Sequence, residues 1–260
     1  STSEIMEVYN VERPSKSKLE EVCRLKQPIK FTFDRIDIFD KINMDYLSKV
    51  LPHEGVNVRK NIIEDDDKEI YEKIGLNDVN ILLENDSRYY IENNDKFIRQ
   101  LDFFDIIKEK TEFFTPPLNF RVNYDLITGK QDTRTCLKYN IDFRSFYLVT
   151  SGEIKIKLMN PNSIDDLDTY KDYLNMEFLS SFNPWDPSIP RKADSIEVTL
   201  KVGDVCFIPT YWLYSIQFGE KSTVFAMKYN TYMSEFANLR EYFIHFLQKQ
   251  NTTFKLLKTQ

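Results

Sequence analysis

Histidine is the usual general base near neutral pH and the commonest metal ligand, and this chain has only two, His53 and His245, about 190 positions apart. His53 sits in Leu51-Pro-His-Glu-Gly55, a loop signature, and His245 lies in a helical stretch without a nearby partner, as a surface or boundary residue does. The three cysteines, Cys23, Cys136 and Cys206, are odd in number and far apart. They read as reduced thiols of an intracellular protein and exclude a zinc site made of cysteine alone. The acidic run Glu64-Asp-Asp-Asp67 reads as a solvated loop rather than a cation site. The chemistry open to this chain is already narrow.

The elements that must position any site fall into two halves. In the first, Ser17-Lys-Leu-Glu20 has the form of a capping box, with Leu19, Val22 and Cys23 on one face and Pro28 as the stop. Ile29–Phe33 alternates as a strand. A helix is predicted around Asn43–Leu51, with Met44, Leu47, Val50 and Leu51 inward, then extended chain at Val56–Arg59 and one helix over Phe97–Glu109. From Pro116 the pattern turns to strands. Phe146–Thr150, a turn at Ser151-Gly152 and Glu153–Leu158 form a hairpin whose second arm sets Ile154, Ile156 and Leu158 against Lys155 and Lys157. Ile196, Val198 and Leu200 alternate likewise, and further strands follow at Val205–Pro209, Tyr214–Phe218 and Thr223–Tyr229. A final helix runs from Ser234, its cap, to about Gln248, with Phe236, Leu239, Phe243, Phe246 and Leu247 as an apolar stripe. Many short antiparallel strands predict a barrel or jelly roll.

The 260 residues are 42% hydrophobic and 14% aromatic with a net charge of −6, enough for a sizeable core and incompatible with a disordered chain or a disulfide scaffold. No basic stretch gives nucleic acid an electrostatic footing, and no apolar run approaches a membrane span. The start of the chain lacks the pattern of a signal peptide. Scarce Ala and abundant Asn, Ile, Lys, Phe and Tyr read as drift in an AT-rich genome, such as that of a protist or a large DNA virus. The expected location is cytoplasmic or nuclear, or a virion for a viral source.

Val202-Gly-Asp-Val-Cys-Phe-Ile-Pro209-Thr-Tyr-Trp-Leu-Tyr214 is the most specific string. It resembles the Gly-Asp…Ile-Pro…Trp segment of the cupin-like Jumonji C family, the group that includes asparaginyl hydroxylases. Thr135-Cys-Leu-Lys-Tyr-Asn140 is similar to the family's metal-binding strand, and Phe146 through Pro161 to the hairpin that follows it. Val8–Ser15 through Gln27-Pro28-Ile29 is similar to its N-terminal segment, so the resemblance covers roughly residues 5–235. It implies a mainly β fold, a double-stranded β-helix (jelly-roll, cupin-like) core over 116–233. An N-terminal helix and strand segment over 1–115 packs on that core, and a C-terminal helical extension over 234–260 completes one structural unit.

Members of this family hold Fe(II) by two histidines and a carboxylate and use 2-oxoglutarate. The i and i+2 ligands share a strand face, so both enter the barrel together. The matching positions here are Lys138, Asn140 and Tyr214: an ammonium, a neutral amide and a phenol. The lysine that anchors 2-oxoglutarate in the family is replaced by Ile154. The resemblance therefore implies a degenerate metal site, with no catalytic residue and no metal or cofactor, in which Lys138 fills the place of the metal and Asn140 and Tyr214 accept its hydrogen bonds. An enzyme with a rebuilt site using Tyr214 or Asp142, or a metal-free cupin binding a small anion near Lys138, are the alternatives. Thr135, Tyr139, Ser145 and Asn230 line a pocket or hydrogen-bond inside a filled barrel, and Trp212 packs the core. The expected partner is a protein; the C-terminal stripe implies either a homodimer, since some relatives dimerise by helices in that position, or a filled intramolecular groove, and nucleic acid and membrane are not expected.

Overall fold

Strands buried on both faces lose the alternation that marks a half-buried one, and this separates the two sheets of the chain. The computed structural model describes residues 6–34, 37–61, 70–187 and 194–254, which leaves Glu64–Asp67 outside the described residues. The larger sheet runs β1 (Tyr9–Val11), β2 (Ile29–Thr32), β13 (Asp204–Pro209), β8 (Arg144–Ser151), β15 (Thr223–Thr231), β6 (Asn119–Gly129), β5 (Tyr89–Ile91), β3 (Gly55–Lys60) and β4 (Glu72–Gly75). The smaller runs β10 (Thr169–Asp172), β11 (Glu177–Ser180), β7 (Leu137–Tyr139), β14 (Leu213–Phe218), β9 (Glu153–Met159) and β12 (Ser195–Lys201). Pairing is antiparallel except between β1 and β2. The fold is mainly β, with helices α1 (Lys16–Cys23), α2 (Met44–Val50), α3 (Leu76–Asn85), α4 (Asp95–Arg99), α5 (Phe104–Thr111), α6 (Tyr232–Ala237) and α7 (Leu239–Phe254).

Parity assigns each side chain of the large sheet to one of two cores. Tyr147, Val149, Cys206, Ile208, Val224 and Ala226 face the small sheet and meet Ile154, Ile156, Leu158, Tyr214 and Ile216. Their neighbours Phe146, Leu148, Val205, Phe207, Phe225 and Met227 face the other way, against Leu19, Phe31, Leu47 and Phe114 of the N-terminal segment. At roughly 1.5–3 kcal/mol for each large side chain taken from water, the second core accounts for why that segment is held to the sheet. A third cluster, Leu137, Tyr139, Met159, Leu167, Phe178 and Leu213, closes one end of the small sheet. Gly152 makes the β8–β9 turn at φ +65°, where a Cβ would lie 2.6 Å from the Glu220 carbonyl oxygen.

Several local expectations shift by a few residues. Ser15, not Ser17, caps α1, accepting from the Lys18 amide. Asn43 caps α2, but Val50 is exposed rather than inward. The expected Phe97–Glu109 helix is two, α4 and α5, parted by tight turns from Ile98 to Leu101 and from Leu101 to Phe104, which bury Leu101. The C-terminal helix is likewise two. Thr231, with Ser234 in a capping box, starts α6, and the Asn238 side chain donates to the Ile141 carbonyl at 3.1 Å, tying the break to the loop after β7.

Candidate functional site

Pairing in the small sheet sets Tyr214 directly opposite Lys138, and Asn140 follows two residues on from Lys138. The three positions expected from the sequence therefore do converge. Their bonding differs from the expectation. The Lys138 ammonium does not reach Asn140 and Tyr214 but pairs with the Glu92 carboxylate, both side chains almost fully buried. Asn140 instead donates to the Tyr147 hydroxyl at 2.8 Å and Ser145 Oγ at 3.2 Å, and accepts from the Tyr214 hydroxyl at 3.4 Å. Tyr147 and Tyr214 pack with ring centroids 5.2 Å apart. Burial pushes both phenols well above their ordinary range.

Glu92 carries no signal in the sequence as a site residue. It follows β5 at the inner edge of the N-terminal segment, and its carboxylate is shared, with Arg59 Nη1 at 3.9 Å from Oε2. Arg59, on β3, is fully buried. It pairs with Glu177, donates to the Tyr71 hydroxyl at 3.3 Å and Cys136 Sγ at 3.6 Å, and lies over the Tyr90 ring at 5.7 Å. Tyr71 donates to Glu177 in turn. Two cations and two carboxylates, from β3, β7, β11 and the segment after β5, thus neutralise one another. Burial pushes the Glu92 carboxyl up, but Lys138 and Arg59 outweigh it and hold it below the ordinary glutamate value.

A cavity of about 240 Å³ opens beside this network, bounded by Tyr139, Asn140, Asp142, Asp125 and Lys228, with Tyr242 and His245 of α7 at its edge. His245 is therefore not partnerless: its Nδ1 lies 2.6 Å from the Tyr173 carbonyl oxygen. His53 is exposed in the turn before β3 and is not part of the cavity lining. Of the other expected pocket residues, Tyr139 lines this cavity and Thr135, Ser145 and Asn230 do not. Thr135 Oγ1 accepts the Ile216 amide, Ser145 takes a hydrogen bond from Asn140, and Asn230 donates to Asp142 at 2.6 Å and accepts from the Phe143 amide at 3.1 Å. Trp212 is fully buried, as core packing requires.

The donor set does not fit Fe(II). One position carries an ion-paired ammonium, one an amide already hydrogen-bonded, and one a phenol that donates to that amide. Among the described residues no three His, Cys, Asp or Glu side chains stand where they could share a metal. Also among the described residues, no helix is long and apolar enough to cross a membrane.

Asp125, buried on β6, accepts the Asn94 amide at 2.9 Å, and burial, partly offset by Lys228, pushes its carboxyl up to about 6. The native state then binds this proton more tightly than the unfolded chain, whose Asp titrates near 3.9. The cost is fully present above pH 6 and is relieved as pH falls through 6 toward 4. One pH unit between the folded and unfolded titrations corresponds to about 1.4 kcal/mol, so stability in urea is expected to rise by roughly 2 kcal/mol from pH 8 to pH 4.5 through this group. Asp125→Asn should lack that rise; an equal rise in the variant would assign it elsewhere.

Comparison with known proteins agrees with the motifs. The family model described as cupin-like domain matches residues 32–238. No curated protein matches the sequence.

Proposed function

Since this chain belongs to the cupin-like family, we propose that it is a non-catalytic Jumonji C-like member, a pseudo-oxygenase whose jelly-roll core serves as a protein-binding or structural module. The observation that carries this reading is the Lys138–Glu92 ion pair at the position of the family's first metal ligand. A cation fixed there by its own buried carboxylate excludes a second cation by charge and by volume. Ile154 at the place of the family's 2-oxoglutarate lysine, buried between the sheets, supports the same reading.

Metal analysis after incubation with Fe(II) or Mn(II) and desalting tests it. The expected result is far less than one equivalent retained, and no succinate formed from 2-oxoglutarate. One tightly held equivalent, with turnover lost in Tyr214→Phe, would replace this reading by an oxygenase with a rebuilt site.

For a partner the favoured occupant is a second copy of the chain. Leu239, Phe243, Phe246 and Leu247 recur on one face of α7 and are each about half exposed or more. The other face is already used: Glu241 lies 3.9 Å from Lys171, Tyr242 accepts from Arg121 at 2.9 Å, and His245 meets Tyr173. Phe236, Met233 and Tyr232 of α6, with Phe120 against the Tyr232 ring, continue the exposed surface.

A further inference from the structure

With Lys138 neutralised by Glu92 and Arg121 by Glu235, the cation left in the cavity lining is Lys228. It stands on β15 between Ala226 and Asn230 on the inward parity, part-exposed to the cavity. Among the described residues its ammonium has no hydrogen-bond or ion-pair partner. Three carboxylates face it from three neighbouring segments: Asp125 on β6, Glu92 after β5 and Asp142 after β7. They lie near enough, with the Tyr147 phenol, to stabilise its charge against burial, yet none closes to an ion pair. Asp142 uses one oxygen for Asn230, and its Oδ2 has no partner among the described residues.

We propose that this cavity binds a small zwitterion of the α-amino-acid class, its carboxylate on the Lys228 ammonium and its ammonium on the free oxygen of Asp142. The two unpartnered groups of opposite charge select that class. The lining carries Arg121, Lys138 and Lys228 against Glu92, Asp125, Asp142 and Glu177; with the outside partners Arg59 of Glu177 and Glu235 of Arg121 included, the site holds one net negative charge. A diacid would add two negative charges to a site with one unpaired cation, in a region where charges are poorly screened. A lone amine would balance the net charge but leave the Lys228 ammonium without a direct partner. A zwitterion satisfies Lys228 and Asp142 together and adds no net charge. Size agrees: about 240 Å³ is below the roughly 300–1,000 Å³ of pockets for drug-sized ligands. The inference rests on the metal-free reading of the site, since a coordinated metal would occupy the same space.

Thermal unfolding of the full chain in EDTA, with glycine, serine, glutamine, succinate, 2-oxoglutarate or glycerol at about 10 mM, tests it. At roughly tenfold excess over Kd, at least one amino acid should raise the midpoint by about 3–6 °C, and the diacids and glycerol should not. Lys228→Met and Asp142→Asn should each abolish the rise while retaining a cooperative transition. Should Lys228→Met not fold, Asp142→Asn decides alone. No rise with any amino acid, a rise that survives in the variants, or a larger Lys228-dependent rise with a diacid overturns the proposal. A flat amino-acid panel leaves the non-catalytic reading intact, whereas retained metal in the separate assay removes that reading first.

Discussion

Replacing Glu92 by Gln is expected to lower the midpoint of thermal unfolding by about 8–15 °C. The substitution keeps the shape and removes the charge, leaving the Lys138 ammonium in a site that is only 5% exposed. It also removes the carboxylate 3.9 Å from Arg59. Breaking one side of a buried pair costs about 3–5 kcal/mol, because the remaining charge is neither solvated nor compensated. For a chain of this size each kcal/mol moves the midpoint by about 2–4 °C. A companion variant separates the pair from its surroundings. Lys138→Met with Glu92→Leu removes both charges, and buried pairs replaced by apolar side chains are often close to neutral. The double variant should therefore recover most of the loss. Should Glu92→Gln cost under about 1 kcal/mol, the range of a solvent-screened pair, the pair is not what fills the site. The sign with pH is also determined. Glu92 is held below its ordinary value, so its contribution is present above the unfolded glutamate range near 4.3 and is lost as pH falls through the folded value. Glu92→Gln should be least damaging in acid.

The second large effect is expected at α7. Phe243→Glu with Leu247→Glu puts two charges on the exposed stripe, away from the contacts of Tyr242 and His245 with the body. Each large apolar side chain contributes roughly 1.5–3 kcal/mol when fully buried. Losing two of them in each copy should weaken association by three orders of magnitude or more, at about 1.4 kcal/mol per tenfold. Light scattering on a sizing column at about 20 µM should show a dimer for the parent chain and a monomer for the variant, with little change in the thermal midpoint measured on the monomer. A monomeric parent chain would instead assign the stripe to a different protein.

The degree to which the site can be read from the chain differs residue by residue. Lys138, Asn140 and Tyr214 are legible because they sit inside short motifs whose strand spacing sets their common direction, and the β7–β14 register places them together. Glu92, Arg59, Glu177 and Tyr71 carry no such signal. They belong to separate segments, and only the pairing of β5 with β3 and β6 and of β11 with β7 brings them to one point. Lys228 carries a fainter one. A lysine between Met227 and Tyr229, on the parity of Ala226 and Asn230, points between the sheets in a strand with little else polar.

Local periodicity was enough to predict the β character, and the ordered motifs carried the resemblance with which the cupin-like family match agrees. What lies against Lys138 depended on long-range folding. No local pattern points to the partner of Lys138, which lies 46 residues away in sequence. Charge compensation in a buried site depends on distance in space, and strand pairing over long separations sets that distance. The same holds for the C-terminal stripe, whose periodicity is plain in the chain but whose outward face follows only from the contacts that α7 makes on its other side.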